Sequence, residues 1–115
     1  MGVIQSFYSE RTNMEKLWQI TEGLNHRFPD GNDPFQIMTR LLEECGELAQ
    51  QVNHFEGGGI KRQKYGEPDK TKMAKEVMDV LRGALQIALY YDLRPELETT
   101  LEKSYQKLQE EGHIS

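Results

Sequence analysis

Residues 39–56 read TRLLEECGELAQQVNHFE, and this stretch decides the fold. At about 100° per residue, Leu41, Cys45, Leu48, Val52 and Phe55 fall on one stripe, as in an amphipathic helix. Glu44 projects to the edge of that stripe, and Glu47 stands one turn further on, about 60° away. Carboxylates three residues apart are neighbours on one helix face. Like charges so placed repel, and beside apolar surface they are poorly solvated. A hard cation is the simplest offset.

A second stretch, Thr71 to Tyr91, repeats the arrangement as TKMAKEVMDVLRGALQIALYY. Its apolar stripe is Met73, Val77, Val80, Ala84, Ile87 and Tyr91, with Glu76 at the edge and Asp79 about 60° beyond. Either acidic pair alone would read as a solvated face. Two pairs in the same relation to their stripes predict that antiparallel helices bring four carboxylates to one spot at the rim of the core.

The rest of the chain supports a helical reading. A length of 115 residues predicts one domain, residues 1–115, with a core small enough to be completed by oligomerisation. The net charge of −5 gives no reason to expect a nucleic-acid partner. The lone Cys45 excludes an internal disulfide and suits a reducing compartment. No apolar run is long enough for a membrane span, and the first residues carry no signal-peptide pattern, so a cytoplasmic protein is expected.

In chain order, Met1 to Tyr8 is too short to assign. Ser9 or Asn13 can cap a helix that runs to about His26, with Met14, Leu17, Trp18 and Leu24 along one side. Trp18 is either a core residue or a stacking surface for a ligand ring. Phe28 to Asp33, FPDGND, is turn chemistry, and Asp33-Pro34 starts the acidic helix. Gly57, Gly58 and Gly59 end it. The basic stretch Ile60 to Lys70 reads either as a solvated loop or as a lid whose Lys61 and Arg62 close over an anionic ligand. Lys72 is either a counter-charge to Glu76 or a phosphate contact. Pro95 opens a last helix with its seam at Leu97, Leu101, Tyr105 and Leu108, stopped by Gly112. No strand is evident, so the expected architecture is an all-α, four-helix-bundle-like fold.

Four acidic ligands without patterned His or Cys favour Mg²⁺, with Mn²⁺ as a substitute, over zinc or copper. Mg²⁺ keeps coordination positions open for water and for substrate phosphates, which suits phosphoryl or nucleotidyl chemistry. Di-iron bundles would need Glu-x-x-His pairs, and here the i+3 positions are Glu47 and Asp79.

With these residues in place, the chain resembles the MazG-like all-α nucleoside triphosphate pyrophosphohydrolases. Glu43-Glu44-Cys45-Gly46-Glu47 fits their E-E-x-x-E motif and Glu76-Val77-Met78-Asp79 their E-x-x-D, over roughly Arg40 to Ala88. The resemblance implies hydrolysis of a nucleoside triphosphate between the α and β phosphorus atoms. It further implies metal ligands Glu44, Glu47, Glu76 and Asp79, with Glu43 helping to orient water, and assembly as a homodimer or homotetramer. Where members often carry an aromatic residue one turn after the Asp, this chain has Gly83. Lys103 and Lys107 are the candidates for the basic residues that commonly meet phosphate near the C-terminus. Two other readings compete: a phosphoribosyl-ATP pyrophosphohydrolase, and a non-catalytic helical interaction module.

Overall fold

A computed structural model describes residues 11–115. Among the described residues five helices succeed one another: α1 Asn13–Arg27, α2 Pro34–Glu56, α3 Gly58–Tyr65, α4 Lys70–Tyr90 and α5 Arg94–Glu110. Among the described residues there is no strand, as an all-α fold requires. Four of the helices are those expected from the sequence; the fifth, α3, is not.

Local chemistry sets most of the boundaries. The α1 cap is Thr12, whose side chain accepts from the Glu15 amide; Asn13 is the first helical residue, and Ser9 lies outside the described residues. Asp33 caps α2 by accepting from the Gln36 amide at 2.9 Å, while the Gln36 side chain accepts from the Asp33 amide, a reciprocal capping box. Asp69 caps α4 through the Thr71 amide. Pro95 sits in the first turn of α5, and Gly112 ends that helix with φ +82°.

The glycine run does end α2, but the next segment differs from expectation. Instead of a flexible loop, Gly58–Tyr65 turns directly into helix α3, leaving only Gly66 to Asp69 as a joint. Gly58 takes φ +68°, which lets the chain reverse without a gap between the helices. A Cβ on Gly57 would collide with the Asn53 carbonyl and the Lys61 side chain, so this glycine permits a close corner. His54 Nε2 donates to the Gly66 carbonyl at 2.7 Å and ties the far end of α3 back to α2.

The main packing is α2 against α4, with α1 laid on α4; α5 touches α4 only near their shared turn. Trp18, Leu85 and Ala88 form the buried cluster, with Leu17, Leu89 and Leu97 packed on it. Trp18 is 2% exposed and its ring is covered by the Arg94 guanidinium, 4.7 Å from the centroid. It is therefore a core residue and offers no free face for stacking a ligand.

The helix faces are used differently from the stripes expected from the sequence. On α2, Leu41, Leu48 and Phe55 are half-buried, but Cys45 and Val52 are exposed. On α4 the buried residues are Asp79, Gly83, Leu85, Gln86 and Ala88, whereas of the expected stripe Met73, Val80 and Ile87 are half-buried and Val77, Ala84 and, just past the helix end, Tyr91 are exposed. The seam of α5 is likewise open at Leu101, Tyr105 and Leu108. The carboxylate-bearing face of α4 is the one that meets α2, because Gly83 has no side chain to hold the helices apart.

Candidate metal centre

Helices α2 and α4 run antiparallel. Gly83 lies against Leu41, Glu76 meets Glu47, and Lys72 shares a cavity with Gln51, so positions that rise on one helix fall on the other. This brings the two acidic edges together. Glu44, Glu47 and Glu76 each offer an oxygen within 4.8 Å of the others. Oxygens on an octahedral Mg²⁺ stand about 3 Å apart when adjacent and about 4.2 Å when opposite, so small rotamer changes close the set on one ion.

The electrostatics of the three carboxylates fit a cation. Glu44 Oε2 and Glu76 Oε2 are buried and have no hydrogen-bond partner. Burial is the main cause that raises the Glu44 carboxyl above its ordinary 4.5, followed by the nearby charges of Glu47 and Asp79. Glu76 is raised by burial, then by the hydrogen bond and charge of Glu47, with Lys75 opposing. A divalent ion would satisfy both orphaned oxygens and offset the repulsion. The donor set is all oxygen, which suits Mg²⁺ or Mn²⁺.

Asp79 stands beside this trio but is differently engaged. It is 6% exposed, lines a cavity together with Glu44, and holds Lys75 at 2.9 Å and Arg82 at 3.8 Å. The i, i+4 pair on this helix is thus Lys75–Asp79, rather than the Lys72–Glu76 pair that the spacing also allows. Glu43 is exposed and does not join the cluster.

Two cavities flank the carboxylates. One, of about 330 Å³, includes Glu44, Asp79 and Gly83 over an apolar floor of Leu24, Ile37 and Leu41. Its wall is a polar network that sequence reasoning misses: Gln86 donates to Asn25 at 2.8 Å and to Asn32 at 3.1 Å, and Arg40 donates to Asn32 at 2.9 Å and to the Gly31 carbonyl. Nothing in helical periodicity announces such links, which join α1, the FPDGND turn, α2 and α4. The i, i+4 spacing of Lys75 and Asp79, by contrast, is readable.

The other cavity, of about 440 Å³, lies between the second half of α2, α3 and the start of α4. It gathers Lys61 and Lys72, two of the basic residues singled out in the sequence. Arg62 is instead paired with Glu67 at 3.7 Å. Lys103 is exposed on α5 and lines neither cavity.

Comparison with known proteins finds a family match over most of the chain. The family model described as the MazG nucleotide pyrophosphohydrolase domain matches residues 33–112, well over half of the chain. The uncharacterized protein YpjD of Bacillus subtilis (strain 168) is 50% identical over 48 residues, covering 42% of this chain and 40% of that protein. The match therefore spans well under half of that relative's length. No solved structure matches the chain.

Proposed function

This chain belongs to the MazG nucleotide pyrophosphohydrolase domain family, and from that premise we propose that it hydrolyses nucleoside or deoxynucleoside triphosphates to the monophosphate and pyrophosphate with Mg²⁺ as cofactor. The observation that carries the reading is the trio Glu44, Glu47 and Glu76, with two buried oxygens lacking any partner. These residues would hold the ion, and Asp79, beside Glu44, would complete the acidic set. Bound there, Mg²⁺ would neutralise phosphate charge and lower the pKa of a coordinated water.

Chain residues supply the remaining functions. A water attacks the α-phosphorus, the bond from that phosphorus to the α–β bridging oxygen breaks, and its electron pair leaves on pyrophosphate. The proton of the attacking water passes to a carboxylate oxygen of the cluster that the ion leaves free, or to solvent. Lys75 and Arg82 fix the Asp79 carboxylate so that it cannot swing away from the cluster. The Leu41–Gly83 contact lets the α2 and α4 backbones approach beside the cluster.

The protein acts as a homodimer or homotetramer in this reading. The exposed apolar faces of α4 and α5 border a groove of about 490 Å³ that includes Leu81, Leu97 and Leu101. Leu81 and Leu101 are half exposed, so covering each by a second copy contributes about 1 kcal/mol. The described residues contain no helix long and apolar enough to cross a membrane.

The decisive experiment is pyrophosphate release from a panel of nucleotides, including phosphoribosyl-ATP, with Mg²⁺ or Mn²⁺. Wild type should release it and Glu47→Gln should not, while both stay folded. Hydrolysis in ¹⁸O-water should place the label in the monophosphate; label in pyrophosphate would refute attack at the α-phosphorus. An absence of release from every nucleotide would favour the interaction-module reading.

A further inference from the structure

We propose that the cavity under α3 is the pocket for the two terminal phosphates, and that Lys61 and Lys72 are the residues that make the site select triphosphates. The inference rests on the pyrophosphohydrolase reading and adds to it the direction in which the substrate lies.

Position is the first argument. Gln51 lies one turn past Glu47 on α2, and Lys72 one turn before Glu76 on antiparallel α4, so the cavity they share begins about 5.4 Å along from the carboxylates. Cleavage between the α and β phosphorus atoms puts the reacting bond at the cluster. The nucleoside must then extend to one flank and the terminal phosphates to the other.

The two flanks differ in chemistry, and the difference orients the substrate. In the cavity that includes Glu44 and Gly83, both cations are committed: Arg40 to the Gly31 carbonyl and Asn32, and Arg82 to Asp79. Under α3, neither Lys61 nor Lys72 pairs with a carboxylate within 4.0 Å among the described residues. The acids that share this cavity are spent elsewhere. Glu67 is held by Arg62, and Asp69 caps α4 through the Thr71 amide. The lining thus holds two ammonium groups and two carboxylates, and because the carboxylates are already engaged, the groups left to meet a polyphosphate tail are the cations.

The corner that carries Lys61 is built for a fixed position. The lysine stem lies over the bare backbone of Gly57, and its ammonium sits 5.8 Å from the centre of the Tyr65 ring. Tyr65 in turn meets His54 edge to face at 6.0 Å, and His54 anchors the end of α3. Gln51 also lines this cavity, and a carboxamide NH₂ can donate to a phosphate oxygen.

The chemistry uses these groups when the bond breaks. The departing pyrophosphate gains negative charge as the bridging oxygen takes the electron pair, and two ammonium groups beside it stabilise that charge more than they stabilise the bound substrate. A nucleoside diphosphate places only one phosphate in the cavity and loses part of this stabilisation.

The test is direct titration of inorganic pyrophosphate, with Mg²⁺ in excess, into wild type and into Lys61→Ala and Lys72→Ala, alongside titration of the nucleoside monophosphate. Both lysines are exposed enough for the variants to fold, which circular dichroism checks. Pyrophosphate affinity should fall by about 10- to 100-fold in each variant, the range expected for a lost hydrogen bond to a charged group. Monophosphate affinity should stay within about twofold. The preference for triphosphate over diphosphate, measured as kcat/KM, should narrow in both. Unchanged pyrophosphate affinity in both variants, or a loss that falls on the monophosphate instead, overturns the assignment. Wild type that cleaves no triphosphate would sink the pyrophosphohydrolase reading, while the pyrophosphate titration would still decide what the cavity binds.

Discussion

Leu41 of α2 lies directly against Gly83 of α4, so closely that a Cβ built on the glycine would sit 3.0 Å from Leu41 Cδ1. This contact sets how near the two helices come, and hence whether Glu44, Glu47 and Glu76 converge. Gly83→Val should overpack the interface and cost about 1–3 kcal/mol in urea denaturation at fixed protein concentration. Adding Leu41→Ala should restore part of the loss, because it removes the side chain that clashes. If Gly83→Val is as stable as wild type, the helices are not held at this separation by the missing side chain.

The raised carboxyls make the metal-free protein sensitive to pH in a defined direction. Glu44 and Glu76 bind protons more tightly folded than unfolded, so their contribution is present below about pH 4.5 and is lost as pH rises through the folded values. Without metal, melting temperature should carry a component that declines above pH 4.5, and Glu76→Gln should reduce it, leaving the Glu44 part, and melt higher than wild type in the neutral range. Added Mg²⁺ should reverse the order by stabilising wild type alone, by about 2.7 kcal/mol at a hundred times its Kd. A Glu76→Gln protein that melts below metal-free wild type at neutral pH would mean the carboxylate makes a favourable contact rather than bearing repulsion.

Trp18 separates a core role from a ligand-stacking role cleanly. Packed with Leu85 and Ala88 under the Arg94 guanidinium, it should cost about 3–5 kcal/mol on truncation to alanine. The milder Trp18→Phe should lower the melting temperature while nucleotide KM stays within about twofold of wild type. A raised KM at unchanged stability would return Trp18 to the binding site.

The open faces of α4 and α5 predict association. Sedimentation should show a dimer or larger species, and Leu101→Glu, which puts a charge on a side chain now 52% exposed beside the groove, should shift it toward monomer. Wild type that sediments as a monomer at all accessible concentrations would leave those faces without the partner proposed here.

Helix ends were readable because they are local. Asp33-Pro34, the Gly57 break and Pro95 act on backbone groups a few residues away, and each lies where the chain turns. The paired acids were readable for the same reason: a spacing of three residues places them side by side on any helix. The helical character of residues 58–65 was hidden, since glycines and lysines spell a loop unless one sees Gly58 at φ +68° and His54 holding Gly66. The polar links of Gln86, Asn25, Asn32 and Arg40 were hidden too, because they join segments far apart in the chain.

The helical class, four of the helices and the acidic pairs on α2 and α4 were legible from residue order alone. Which face each helix turns inward depended on packing between segments distant in the chain. An apolar stripe says that a face needs covering, not what covers it, so Val77 and Ala84 stay open in this chain while Asp79 and Gly83 are buried. Packing distance settled the choice: the smallest side chain on α4 admits Leu41, and the carboxylates meet because the helix backbones can approach there.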